Sequence, residues 1–415
     1  MRKPTTALRA STYILVLGAT LVVSAAGLSA VLAVRLQRRA QAQTGDFSEA
    51  RFIAQSAIEL GMLDIRRDDN WRTSKTNGPW RVSQTLGRGT FTLTVTDVDG
   101  NLTDDANDRV ILTSTAVVAD SRHKLMVELE PEQPPGMSCL ASAVHVATGL
   151  LAKNDLTADA PVSSNNSITV DGGVVSADLE AVNTIQVISG EAKGSTETGI
   201  AAKEMPAATV FDYYGAASVE IPYNSLPSGK LRQVLLSPAS NPYGSTHPQG
   251  LYRINCAGNT LTIEDVRIYG SLLILNPSSS SKLTKGIHWE TYNPQIPALL
   301  VKGSIEWDWS AELKEGSADV NFNPAGISYK GQADTDKSDT YASLLKGLVY
   351  VSGNLTVKQP ANVEGVVVCG GALLKIEEPL SVTYDPTIIQ APPNGFARQN
   401  RPMNPVLGSW RRLVD

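Results

Sequence analysis

"EARFIAQSAIELGML", Glu49 to Leu63, is helical in pattern yet apolar on more than one side. At 3.6 residues per turn, Ala54, Ala57, Ile58, Gly61 and Ile65 share one face, and Phe52, Ile53, Leu60 and Leu63 lie roughly opposite. Arg51, Gln55 and Glu59 make a narrow polar seam at four-residue spacing. A surface helix normally carries one apolar stripe. Two stripes imply two surfaces: the chain's own domain and a neighbouring molecule. A helix buried inside one large domain is the alternative.

Upstream, Thr12 to Val34 reads "TYILVLGATLVVSAAGLSAVLAV", without a charge. That length spans a hydrocarbon core of about 30 Å. Arg2, Lys3 and Arg9 precede it, and Arg35, Arg38 and Arg39 follow, so the flanking charge does not set orientation. The reading adopted is a retained membrane helix; a secretory signal cleaved at "AQA" (Ala40 to Ala42) is the alternative. Gly18, Ala26, Gly27 and Ala30 permit close helix packing in lipid. The helical pattern runs from Thr12 to about Arg66. Thr44-Gly45-Asp46 is the expected interruption, with Asp46 as a cap.

After Asn70 the period changes to two. "GTFTLTVTDVDG" (Gly89 to Gly100), "DRVILTSTAVV" (Asp108 to Val118) and "HKLMVELE" (His123 to Glu130) read as antiparallel strands. One face of such a sheet needs cover, which the inner helix stripe supplies. Trp71 and Trp80 are expected in core or edge packing.

The basic start, the membrane helix, its amphipathic extension and a small sheet resemble the type IV pilin and type II secretion pseudopilin plan. "ARFIAQSAIELGM" resembles the "AR-x-x-A-x-S-A-x-E" helix of PilX-like and GspK-like minor pilins. The resemblance covers the first third of the chain. It implies a helix that packs on its own sheet and on neighbouring helices in a filament.

Within "DVDGNLTDDAND" (Asp97 to Asp108), Asp97, Asp99, Asn101 and Asp105 have the oxygen-rich alternation of a calcium loop. The alternative is a "DG" hairpin turn with solvated acids. Calcium here would be structural; no cofactor is otherwise expected.

"EPEQPPGMS" (Glu130 to Ser138) marks a linker. The remainder is rich in Gly, Ser, Asn, Val and Ile. "IYGSLLI" (Ile268 to Ile274), "VKGSIEW" (Val301 to Trp307) and "VSGNLTV" (Val351 to Val357) share a frame, which "VCGGALL" (Val368 to Leu374) follows less strictly. The expected fold class is mainly β with one long N-terminal α-helix: a pilin-like helix and antiparallel sheet, then a β-solenoid-like (parallel β-helix) domain. An irregular β-sandwich is the alternative. "YDPTIIQAPPNGF" (Tyr384 to Phe396) is expected to cap the last coil. This ending, with "GLVYVSGNLTV" and "EGVVVCGGALL", resembles the β-rich domain behind PilX-like segments in some bacterial envelope proteins, planctomycete ones among them. The expected divisions are a basic leader 1–10, transmembrane helix 11–36, amphipathic extension 37–69, sheet 70–130, linker 131–140, β-domain 141–396 and tail 397–415.

No catalytic residue is identified. His123, His145, His247 and His288 lack ligand spacing, and no G-x-S-x-G, H-E-x-x-H or P-loop occurs. Glu306 and Asp308 flank Trp307, with Glu312 following; they are the candidate pair for a polysaccharide lyase or hydrolase, and Trp289 and Trp307 are candidate glycan platforms. The alternative is a core tryptophan flanked by solvated acids. Cys139 and Cys256 are a candidate disulfide, and Cys369 is expected as a buried apolar residue. The 36 basic and 41 acidic residues give a formal net charge of -5. Outside the membrane flanks there is no basic cluster, which argues against nucleic acid. The expected protein is a non-enzymatic structural component of the bacterial inner membrane, single-pass, with its C-terminal domains in the periplasm or at the cell surface. Its expected partners are the membrane, other pilin-like subunits through the N-terminal helix, and surface glycans. Membrane-anchored adhesin and scaffold are the alternatives.

Overall fold

The computed structural model describes residues 7–68, 70–97, 99–103, 108–371, 373–398 and 401–414. The chain divides into two units, Met1–Glu132 with Gln399–Asp415, and Gln133–Arg398.

The first unit begins with one helix, α1, Ala7–Arg67. Its 61 residues rise over roughly 90 Å at about 1.5 Å each. The expected break at Thr44-Gly45-Asp46 is absent. One interior glycine costs about 1 kcal/mol, too little to end so long a helix, and Asp46 instead pairs with Arg88 at 3.2 Å.

Four antiparallel strands follow in sheet order: β1 (Gly78–Leu86), β2 (Gly89–Asp97), β3 (Val110–Val118) and β4 (Ser121–Pro131). Strict alternation sends Phe91, Leu93, Val95, Val110, Leu112 and Ala116 inward. Ala50, Ile53, Ala54, Ala57, Ile58 and Ile65 of α1 are buried over that face. Ile53 therefore belongs to the inner stripe and not to the opposite one. Small residues bring the axis close to the sheet: a Cβ at Gly61 would lie 2.9 Å from both Leu93 and Leu112 side chains. Arg81 clamps Asp64 through two of its three guanidinium nitrogens, Nε at 3.1 Å and Nη2 at 2.8 Å. Trp71 is buried and meets Trp80 edge-on.

The last residues, expected as a tail, complete this sheet. Met403–Pro405 and Arg411–Leu413 both pair antiparallel with β4. They cover an edge that would otherwise offer unpaired backbone groups to another chain.

In the second unit the assigned ladders, apart from one two-stranded pairing (Leu313–Lys314 with Thr340–Tyr341), are parallel. One ladder runs through Val219–Glu220, Leu251–Asn255, Ser271–Leu275, Leu299–Lys302, Leu344–Val351, Ala361–Cys369, Val144–Val146, Val162–Ser164, Leu179–Ala181 and Thr196–Thr198. The chain thus enters in the middle of the stack and winds to one end at Thr198. It crosses through the helix Thr209–Ala217 to the far end at Val219. From there it winds back until Val367 lies beside Val144. Tyr384–Phe396 therefore does not cap a terminal coil, because the last rung is internal and stacks on the first. Ile388 and Phe396 instead join Cys139, Val210, Phe211, Tyr214, Tyr350, Val366 and Val368 in a layer outside the sheet. Val367 and Cys369, alternating with those last two, point into the inner core. Burial on both faces explains the unbroken apolar run of this strand.

Rungs stack backbone on backbone, and glycine columns mark the tightest places. Gly347 pairs with Gly365; Gly365 has φ +147°, and a Cβ there would lie 2.1 Å from Gly347 O. Gly365→Ala combines a left-handed backbone with a clash that no side chain can relieve. It should cost about 3 kcal/mol or more, read as a lower melting temperature by circular dichroism. Gly45→Ala, which meets nothing within 4 Å, should leave the melt unchanged or slightly raised.

Candidate functional site

The apolar N-terminal half of α1 is exposed from Tyr13 to Leu36. It is long and apolar enough to cross a membrane. Beyond it, the second stripe is thinner than its sequence suggests. Phe52 is 66% exposed and Leu63 37%, while Leu60 is half-buried. Those two side chains, one helical face C-terminal to the apolar span, are the exposed apolar positions that the sheet does not use.

The acidic hairpin between β2 and β3 brings the Asp97, Asp99 and Asp108 carboxylates within 4.8 Å of one another. Asn101 caps a turn, its Oδ1 accepting from the Thr103 N–H at 3.3 Å and the hydroxyl at 2.8 Å. Asp105 lies outside the described residues. Arg72 reaches into the group: Nη1 lies 3.7 Å from Asp97 Oδ2, and Nη2 donates to Asp108 O at 2.6 Å. The guanidinium brings positive charge to the carboxylate that a cation would use and ties the hairpin base to the residues after α1.

The strand Ile305–Asp308 turns Trp307 inward and Glu306 and Asp308 outward. Lys358 lies 2.8 Å from Glu306, and Lys282 lies 3.0 Å from Asp308. Each acid is thus neutralised by its own lysine on an adjacent rung. Trp289 and Trp307 have no exposed surface, so neither is a glycan platform: inward alternation puts both rings in the inner core. The candidate Cys139–Cys256 disulfide is absent. All three cysteines are free and buried, with Cys139 in the outer layer and Cys256 in the inner core. A cleft of about 430 Å³, with no Asp, Glu, Lys or Arg in its lining, is formed by Tyr213, His247, Gln249, Asn293, Gln295 and Asn394, among others.

A buried polar relay was not legible in the sequence, because its members lie far apart in the chain. Lys203 Nζ donates to Glu180 at 2.6 Å and to Ser142 Oγ at 2.7 Å. Ser142 Oγ lies 2.7 Å from Ser163 Oγ, which lies 2.7 Å from His145 Nδ1. A lysine beside a serine can activate a nucleophile. Here Ser142, Ser163 and His145 have no exposed surface; the relay pairs the two hydroxyls and His145 Nδ1 and leaves His145 Nε2 buried without a partner. Burial, reinforced by Lys203, pushes the His145 pKa down to about 3. Above pH 6.5 the ring is neutral in folded and unfolded chains alike. As the pH falls from about 6.5 toward 3, only the unfolded chain takes up the proton, and stability falls by about 1.4 kcal/mol per unit. Urea unfolding at pH 6.5 and pH 5 should therefore show wild type losing about 2 kcal/mol more than His145→Gln. Equal losses would contradict the assignment.

No protein-family model matches the chain, and no curated protein matches it. Among solved structures, the crystal structure of the competence-associated pilin ComZ from Thermus thermophilus is similar over 89% of this chain and 98% of that chain, with 10% identity and a TM-score of 0.35. At that level the similarity assigns neither fold nor function to this chain.

Proposed function

We propose that this chain is a membrane-anchored, non-enzymatic structural subunit of the type IV pilin-like or pseudopilin kind. In this reading α1 anchors it in the bacterial inner membrane and meets the helices of other pilin-like subunits. The second unit, read as a β-solenoid, is presented in the periplasm or at the cell surface. The bulk of that unit suits a minor subunit of the PilX-like or GspK-like class, since one on every subunit would crowd a thin filament. The observation that carries the reading is the division of α1. An apolar span continues without a break into a segment that packs on its own sheet and still exposes Phe52 and Leu63. Phe52 and Leu63 fall on one side of the helix, three turns apart, where a neighbouring helix would pack.

A second reading, a membrane-anchored adhesin, is favoured by the cleft beside Tyr213, which no carboxylate, lysine or arginine lines. Its aromatic ring and amide side chains suit a neutral saccharide better than the buried tryptophans do. The paired lysines at Glu306 and Asp308 argue against a polysaccharide-active centre on that strand.

The filament reading is tested by placing the photo-crosslinker benzoylphenylalanine at Phe52 in the native membrane. Covalent adducts to the N-terminal helix of another pilin-like subunit, or of a second copy, are expected. The same group at Tyr292, exposed on the second unit, should give none of these. Absence of protein adducts at position 52 would leave α1 as an anchor only.

A further inference from the structure

Four segments of the second unit meet around the cleft of about 430 Å³. They are the crossing helix Thr209–Ala217, the loop before the strand Leu251–Asn255, the loop between Lys282–Glu290 and Leu299–Lys302, and the turn at Asn394. The volume is at the small end of the range for ligand sites, about 300–1,000 Å³. Tyr213 lies on the exposed side of the helix. Its ring is braced edge-on against Tyr214 at 5.0 Å, and Tyr214 Oη donates to Asn394 O at 2.9 Å. Tyr213 is 52% exposed, whereas Leu251 and Ile296 in the same lining are buried. The apolar surface on offer is therefore one aromatic face.

Amide side chains at a surface usually turn either end to water. Here backbone groups fix which end is presented. The N–H groups of Gln249 and Leu251 both donate to His247 Nδ1, at 3.1 and 3.2 Å. The ring proton is therefore on Nε2, which is a donor. The Gln295 N–H donates to Asn293 Oδ1 at 2.9 Å, so the Asn293 nitrogen donates instead, to Gln249 Oε1 at 3.2 Å. Gln249 is left with its Nε2 as a donor. Gln295 Nε2 donates to Ala391 O at 3.3 Å, which leaves Gln295 Oε1 as an acceptor. Tyr213 Oη accepts from Asn394 Nδ2 at 2.9 Å and keeps its own proton to donate.

We infer that this cleft binds a neutral saccharide through its hydroxyls: His247 Nε2 and Gln249 Nε2 donate to them, Gln295 Oε1 accepts from one, and the Tyr213 ring lies against a sugar face. A hydroxyl both donates and accepts, so a run of hydroxyls matches a lining on which donors and an acceptor of fixed sense stand together. With no Asp, Glu, Lys or Arg in that lining, a uronic acid or a phosphate would leave water without a counter-charge. The single aromatic face suits the C–H side of a sugar ring. A peptide strand would instead ask for an open sheet edge and pockets for alternate side chains. Polar ends that are already oriented also lower the ordering cost of binding. A saccharide site here rests on the adhesin reading of the chain and does not require α1 to enter a filament.

Full-length protein, held in a detergent without a sugar headgroup, is applied to a printed array of neutral glucan, mannan, galactan and chitin fragments beside uronic-acid and sulfated chains. Retention on neutral fragments and not on the acidic chains is expected. Isothermal titration with the best-retained neutral fragment should then show binding about tenfold weaker or worse in Tyr213→Ala and in Gln249→Ala. Tyr213→Phe, which keeps the ring, should lose less than Tyr213→Ala. Glu306→Gln, on the strand whose acids are paired with lysines, should bind as wild type does. Unchanged melting temperatures separate lost binding from lost folding. If Tyr213→Ala does not fold, Gln249→Ala, at an exposed position, carries the test with the same loss expected. A neutral fragment bound equally by wild type, Tyr213→Ala and Gln249→Ala would overturn the cleft as the site and leave the adhesin reading standing. No neutral fragment bound by wild type would overturn both. Preference for the acidic chains would also overturn the neutral-saccharide site.

Discussion

The pairing of Val144 with Val367 is the contact on which the architecture of the second unit depends. A domain inserted into another must release the chain near where it received it. A simple parallel stack cannot do this, because its first and last rungs lie at opposite ends. Here the stack is entered in the middle, and the chain crosses once, through residues 199–218, from one end to the other. The first and last rungs become neighbours. The same closure is repeated just outside them: Gly136 bridges Ala397, and Arg398 N donates to Pro135 O at 2.8 Å.

The winding has consequences for side chains. The central rungs are flanked on both sides by other rungs and covered by the outer apolar layer, so their strands are buried on both faces and read as continuous apolar runs. Terminal rungs are different. Thr196–Thr198 is exposed throughout, and the polar Thr-Glu-Thr sequence suits an unpaired edge. Tight backbone stacking also leaves no room for side chains at the bends, hence the columns Gly347–Gly365 and Gly353–Gly371. A Cβ at Gly371 would lie 2.0 Å from Gly353 O.

Local pattern carried the parts of this fold that local physics determines. The long helix, the alternation of β2, β3 and β4, and the eighteen-residue spacing of Gly347 and Gly365 are all visible in the sequence. That spacing is the register itself, since these two residues are paired. β1 carries no such pattern because it is an edge strand with Pro79 near its start and register shifts between Pro79 and Arg81 and between Arg81 and Gln84. Such irregularity erases the period of two. The permuted winding has no local signal, because it rests on pairings more than two hundred residues apart. The candidate sites divide in the same way. Asp97, Asp99 and Asn101 advertised a calcium loop by spacing, yet Arg72 lies among those acids. Tyr213, His247, Gln249 and Gln295 share no spacing; a crossing helix and two loops bring them together around the cleft, which only the folded chain displays.

The proposed function requires that α1 be retained as a membrane anchor. Mass spectrometry of the N-terminal peptide from native membranes, after carbonate washing, tests it most directly. A retained anchor predicts a mature chain that still contains the Tyr13–Val34 span, resists the wash and is released only by detergent. A chain beginning near Gln43 and recovered in the soluble fraction would contradict it.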